Sequence, residues 1–372
     1  MFKKMAVSVF AFVMLGLTSG DVQTAEKHYK IGALLPLTGN ASFIGEYVKN
    51  GIELATEEIN AGGGISGTKI EMLYEDTKND PKEGVSIVNK LTSIEKVPII
   101  ISAMTGVTNA IIPMADRNNT VVFATTVSAS GITEQSQNVF RLFITADIDA
   151  STMAKFAADS LKLKKIAIIH VNDDFGLSFA KVFTSTFQGK DRKVIFTEGY
   201  DKGTSDYRTL ILKLKIASPD AVYLLGYDNN LGIIPKQMRE LDITMPILSI
   251  GTIAQPNVLL QAGNALNVTY FTTTEFSADN PMNEASKKFI ENYRKKYGKA
   301  PNYFSAFAYD SVKLIANAIK IKGYSPEGIR SGLLGIKDFK GTTGSITIKS
   351  NRDADFKMIV KKIEDGKVTD AK

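Results

Sequence analysis

Residues 30–74 read KIGALL (30–35), PLTGNAS (36–42), FIGEYVKNGIELATEEIN (43–60), AGGGISGTK (61–69) and IEMLY (70–74). The first block is a short apolar run of strand length. The third places Val48, Ile52, Ala55 and Ile59 on one face of a helix from Phe43 to Asn60, and the last is a second strand-like run. Strand, amphipathic helix and strand in that order predict a parallel sheet covered by helices. Gly62-Gly63-Gly64-Ile65-Ser66-Gly67 invites comparison with a phosphate loop, but its context is the reverse. A dinucleotide fingerprint leaves a strand and opens a helix, whereas this cluster closes a helix and precedes a strand. A helix C-cap and turn, built from residues that tolerate positive φ, is the expectation.

The alternation continues down the chain. Strands are predicted at Val97–Ile101 and Val121–Phe123, with helices beginning near Pro81 and Thr105; Pro81 suits a first helical turn. A second series places strands at Lys165–His170, Lys193–Thr197, Ala221–Leu225, Ile247–Ile250 and Val268–Thr272. Helices at Phe175–Phe187, Tyr207–Ile216 and Leu231–Leu241 separate them. Two long helical stretches, Asn283–Tyr297 and Phe304–Ile321, come late, and strand-like pieces at Ser345–Ile348 and Phe356–Ile363 close the chain. The two series flank a region near Arg141 to Asp149. Chain order alone allows two independent domains in tandem. Two sheets with a cleft between them follow, a preferred place for small ligands.

At the amino end, Lys3 and Lys4 precede the apolar run Met5–Leu17, and small or polar residues follow from Thr18. This is the layout of a cleaved secretory signal, residues 1–25, and the run is shorter than the ~20 residues that cross a bilayer. The chain contains no cysteine, which removes disulfides, thiolate metal sites, cysteine nucleophiles and a lipid-modified cysteine. A soluble, untethered product in a periplasm is expected. With 372 residues there is room for about two domains. A hydrophobic fraction of 44% and a charged fraction of 23% are those of a globular protein. The formal charge of +6 is scattered, usually beside acids, and forms no basic stripe with interleaved aromatics, so nucleic-acid binding is not expected.

Catalysis has few candidate groups. The histidines are His28 and His170, and no nucleophile elbow, HExxH or Walker sequence occurs. His170 is expected to be structural or rim-forming rather than a catalytic base. Glu57-Glu58 is read as solvated helix surface. No metal site, cofactor or enzymatic activity is predicted. The informative segments follow strand ends, where open α/β sheets bind ligands. Thr105-Gly106-Val107-Thr108 begins a helix, and a hydroxyl at its N-cap with free N–H groups behind it suits a carboxylate. From this segment alone a plain capped helix is the better reading. Thr125-Thr126-Val127-Ser128, after the next strand, offers further hydroxyls that could converge on the same anion.

Pro36-Leu37-Thr38-Gly39, Gly45, Gly51 and Ile59-Asn60-Ala61-Gly62-Gly63-Gly64-Ile65 are followed in order by Asp76, Pro81 and Phe140-Arg141. Asp173-Asp174-Phe175-Gly176, Pro219-Asp220-Ala221, Tyr297-Gly298, Pro301 and Ala308-Tyr309-Asp310 continue the series. In this order and spacing the mature chain resembles the periplasmic Leu/Ile/Val-binding proteins, type I solute-binding proteins of branched-chain amino-acid ABC importers. The resemblance implies an α/β fold of two Rossmann-like lobes with mostly parallel sheets, joined by a three-crossover hinge. It implies lobes of 26–143 plus 275–348 and 144–274 plus 349–372. It further implies capture of a small amino acid, branched-chain or otherwise hydrophobic, or of a related small carboxylate, by a monomer that delivers it to an ABC permease. A sensory module for amides or carboxylates is the alternative. By the same resemblance Thr105, Thr126 and Ser128 hold the ligand carboxylate, Phe175 and Tyr227 are aromatic site residues, and Phe43 and Ile44 form a side-chain wall. One departure matters. Amino-acid binders of the family carry an acid for the ligand ammonium in the loop after the strand Ile247–Ile250, and here that loop reads Gly251-Thr252-Ile253-Ala254-Gln255. Asp228 and Asp174 are the candidate replacements. Without such an acid, a carboxylate or amide lacking an ammonium group is equally open.

Overall fold

The computed structural model describes residues 28–371. The predicted signal segment, 1–25, lies outside the described residues. The first sheet holds β1 (Tyr29–Leu35), β2 (Ile70–Asp76), β3 (Ile99–Ser102), β4 (Val121–Ala124) and β5 (Val139–Arg141), in the order β2-β1-β3-β4-β5. All its neighbours are parallel. β3 and β4 are buried along their whole length, which is why they read as unbroken apolar runs. Helices α1 (Ser42–Ala61), α2 (Pro81–Ser93) and α3 (Thr105–Arg117) return the chain between strands. Asp80 caps α2 by accepting from the Lys82 N–H at 2.7 Å, with Pro81 in its first turn. Beyond α1, Gly63, Gly64 and Gly67 have φ of 95°, 76° and 89°, so the glycine cluster is the predicted helix stop and turn.

The chain then crosses to a second sheet. Its elements run α4 (Ala146–Asp159), β6 (Lys165–Val171), α5 (Asp174–Phe187), β7 (Lys193–Tyr200), α6 (Arg208–Ala217) and β8 (Ala221–Leu225). α7 (Asp228–Glu240), β9 (Ile247–Ile250), α8 (Pro256–Ala262) and β10 (Thr269–Thr274) follow. A second crossing leads to α9 (Glu284–Tyr297), α10 (Tyr303–Lys322) and α11 (Pro326–Leu334), then to a hairpin of β11 (Phe339–Gly341) and β12 (Gly344–Ile346). α10 lies along α1 of the first lobe and is buried along most of its length. A third crossing adds β13 (Met358–Glu364) and β14 (Lys367–Asp370), antiparallel, at the edge of the second sheet. The order there is β14-β13-β10-β9-β8-β6-β7. Three crossings, not a tandem layout, join the two lobes.

Arg141 ties two of the crossings together. Its side chain is 1% exposed and grips Asp353 with two bonds, Nε to Oδ1 at 2.7 Å and Nη2 to Oδ2 at 2.9 Å. Its Nη1 donates to the Ala129 carbonyl at 2.6 Å. A fully buried guanidinium is tolerated because its charge is paired and its N–H groups are occupied. The periodicity reading missed β5, α4, α8, α11, β11 and β14, and it took Glu57-Glu58 as wholly solvated. Glu57 is exposed, but Glu58 is half-buried against α9 and α10. It accepts from Asn292 Nδ2 at 2.8 Å and pairs with Lys313 at 3.0 Å. Adjacent helical residues point about 100° apart, so one of the pair meets the core. His170 is buried, with Nδ1 2.9 Å from the Val171 carbonyl, in the structural role expected of it.

Candidate functional site

In each sheet the strand order reverses beside the first strand of its series, between β1 and β3 and between β6 and β8. Crevices at such switch points face the carboxyl ends of the strands, and here the two face each other. Between the lobes lies a cavity with about 590 Å³ of empty space, its mouth included. The first lobe contributes Ile44 from α1, Thr105 from α3, Thr126 and Ser128 from the loop after β4, and Tyr303 and Phe304 from the start of α10. The second lobe contributes Phe175, Tyr227, Thr252, Thr272 and Asp149.

The first-lobe wall is polar at one end. Thr105 is the first residue of α3 rather than its cap. The cap position is Met104, with φ of 72° and no side-chain hydrogen bond to the helix, so the hydroxyl-cap expectation is corrected. The free N–H groups of the first turn of α3 remain without that capping oxygen. Ser102 and Thr108 hydroxyls bond each other at 2.8 Å, which commits Thr108 to the strand. Thr126 has φ of 55°, rare for a β-branched residue, and its Oγ1 is buried without a hydrogen-bond partner. On the second-lobe side, at the end of β10, Thr274 Oγ1 is likewise unpartnered and lines the cavity. Buried hydroxyls in native proteins are nearly always satisfied, so the lining has hydrogen bonds to give.

The rest of the lining is largely aromatic and aliphatic, with Asp149, Thr252 and Thr272 as polar members on the second lobe. Phe175 and Tyr227 lie with ring centroids 5.3 Å apart, and Phe143 stacks on Phe304 at 6.1 Å. Phe43 does not reach the cavity; it packs edge-on against Phe304 at 6.2 Å and so backs the wall instead of forming it. The Tyr227 hydroxyl donates to Asp173 Oδ2 at 2.9 Å, while Asp173 also meets Lys202 at 3.0 Å and caps α5 through the Gly176 N–H. Burial, aided by the Asp173 charge, pushes the Tyr227 phenol well above its ordinary range and keeps it a neutral donor. Asp174 is exposed at the mouth, accepting from Asn109 Nδ2 of the first lobe at 2.7 Å, and is not part of the cavity lining. Asp228 opens α7, and its side chain lies outside those described.

Asp149 escaped the sequence reading. It sits in the first turn of α4, 6% exposed, and accepts a hydrogen bond from Thr272 Oγ1 of β10. Burial raises its carboxyl pKa to about 7, against the lowering effect of the Thr272 bond. A signal was available: Thr145 followed by Ala146, Ala150, Met153 and Ala157 is a capped amphipathic helix, and position 149 falls on its buried face.

These features match known proteins. The chain matches the periplasmic binding protein family over residues 28–367. It is 30% identical to the Leu/Ile/Val-binding protein homolog 2 of Brucella abortus, over 97% of this chain and 96% of that one. Among solved structures, the substrate-binding protein LivJ of the branched-chain amino acid transporter of Streptococcus pneumoniae, in complex with isoleucine, superposes with a TM-score of 0.84 at 28% identity. That match covers 92% of this chain and 98% of LivJ. The leucine-binding protein LivK of Thermotoga maritima gives 0.86 at 27% identity, over 92% and 97%. These relatives are substrate-binding proteins, not enzymes, and their likeness runs through both lobes and the cleft between them. The chain therefore belongs to the periplasmic binding protein family.

Proposed function

We propose that the protein captures a small hydrophobic amino acid, or a related small carboxylate, in the interlobe cleft and delivers it to the permease of an ABC importer in the periplasm. The observation that carries this reading is the cavity itself, apolar on most sides and ending in the unsatisfied Thr126 hydroxyl beside the uncapped start of α3. A ligand carboxylate docks there, on the N–H groups of α3 and the hydroxyls of Thr105, Thr126 and Ser128. Ile44 and Phe304 hold its side chain, and Phe175 and Tyr227 close over it from the second lobe. The moving bodies are 26–143 with 275–348 and 144–274 with 349–372. Hinge closure of periplasmic binding proteins is a standard example of such motion, and the ligand stabilises the closed form through contacts that the open form lacks. The protein works as a monomer and leaves its ligand chemically unchanged.

A thermal-shift screen of refolded, ligand-free protein against leucine, isoleucine, valine and small carboxylates tests this reading. Ligand at 100 times Kd stabilises a fold by about 2.7 kcal/mol, a readable shift. Thr105→Val combined with Ser128→Ala should then weaken binding at least about tenfold, or 1.4 kcal/mol. Unchanged affinity in that double variant would remove the carboxylate site from this account.

A further inference from the structure

We infer that Asp149 is the acidic partner of a ligand ammonium group, so that the cavity takes a zwitterionic α-amino acid in preference to a carboxylate of the same shape without the nitrogen. The inference rests on the cleft being the binding site, as proposed above. Asp149 is the sole acid among the described residues that line the cavity, and no Lys, Arg or His is among them. It is buried, with a Thr272 hydroxyl on one oxygen and no counter-charge. An ionised carboxylate in such a place is costly unless a cation joins it. The loop after β9, from Gly251, carries no acid, so Asp149 on α4 offers the function from a different element. It belongs to the second lobe, and the hydroxyls of Thr105, Thr126 and Ser128 to the first. The two charged groups on the α-carbon of an amino acid would thus each meet a different lobe, whereas a plain carboxylate adds a second anion to the cavity.

The surroundings leave Asp149 to titrate alone. The ionisable groups that face it are Tyr223 of β8 and Tyr303 of α10, both phenols kept neutral by burial. On β13, Lys361 and Lys362 are engaged with Asp370 and Glu364. On α5, Asp174 is bonded to Asn109 and Lys181 is exposed; on α4 itself, Asp147, Lys155 and Asp159 are exposed. Burial holds the empty-site carboxyl near pH 7. An ammonium requires the ionised form, so binding below that pH expels a proton from Asp149 to solvent. Affinity for an amino acid should then rise by up to about tenfold per pH unit below 7 and level off above it.

Calorimetric titration decides the matter, using leucine and 4-methylpentanoate (leucine without its amino group) at about pH 6 and pH 8.5, in two buffers of different ionisation enthalpy. The wild type should bind leucine with proton release at the lower pH only, and 4-methylpentanoate at least about tenfold more weakly. Asp149→Asn should lose the proton release, weaken leucine at least about tenfold and tighten 4-methylpentanoate. Equal binding of the two ligands by the wild type, or leucine binding without proton release at pH 6, would overturn the role of Asp149 and leave the cleft reading intact. Neither wild-type measurement depends on the variant folding. If leucine, isoleucine, valine and 4-methylpentanoate all fail to bind, the cleft reading falls and this inference with it.

Discussion

Asp149 works against the fold when the cleft is empty. Its carboxyl titrates near 7 in the native protein and near 3.8 when exposed, so between those values the native state keeps a proton that the unfolded chain has released. The stability tied to this group is therefore fully present below about pH 4 and is lost as pH rises to 7. Ligand-free Asp149→Asn should accordingly gain up to about 4 kcal/mol at pH 8 and almost nothing at pH 4, read from thermal melts at the two pH values. Equal melting shifts at both would remove the linkage. A binding group that destabilises the empty protein is a common trade of stability for function. Thr105, Thr126 and Ser128 were legible in the sequence because they follow strand ends, where the fold class itself directs ligands. Asp149 was not, because it lies beyond a strand, β5, too short to register as one, in the region left between the two series. Phe43 and Ile44 are neighbours on α1, and a helix can turn only one of them into the cavity.

Among elements, the contact between α1 and α10 has the most influence on the site. A Cβ added at Gly51 would lie 2.2 Å from the Ser305 carbonyl oxygen, so the helices touch backbone to backbone there. Ser305 is in the first turn of α10, two residues past Tyr303 and one past Phe304. Asn302 and Ser305 fix that turn by a reciprocal capping box. Gly51→Ala would gain up to about 1 kcal/mol of helix propensity. Against this, the atom it meets is backbone and cannot rotate away, and overpacking of that kind costs about 1–3 kcal/mol. The clash wins: the variant should melt lower, and ligand affinity should fall with it as Phe304 is displaced. A melting temperature at or above the wild type's would show that the helices part freely. Most elements were legible, because buried parallel strands read as apolar runs and the intervening helices carry a 3.6-residue period. β5 and β14 escaped notice through shortness and exposure respectively. α8 and α11 are brief helices opened by Pro256 and Pro326, which signal a turn as readily as a first helical residue.

At the scale of the whole molecule, the lobes meet through polar contacts outside the cavity lining, two of them exposed and one part-buried. Besides Asn109 with Asp174, the Ser130 N–H donates to Ser178 Oγ at 3.1 Å and Asn302 Nδ2 to Gln255 Oε1 at 3.1 Å. None of these residues lines the cavity, so they bias closure without reading the ligand. Asn109→Ala with Ser178→Ala removes two bonds worth about 0.5–1.5 kcal/mol each. Affinity should drop about fivefold or more, by the same factor for every ligand, with a larger ligand-free radius of gyration in small-angle scattering. A drop confined to one ligand would mean that these residues select rather than latch. The aromatic wall has an optical consequence. The sequence contains no tryptophan, so the ultraviolet emission of the native chain comes from its 13 tyrosines. Tyr227 and Tyr303 stand on opposite lobes of the cavity, in surfaces that separate when it opens. Filling the cleft thus changes the light emitted by the unmodified protein, and its opening and closing can be timed without attaching a dye.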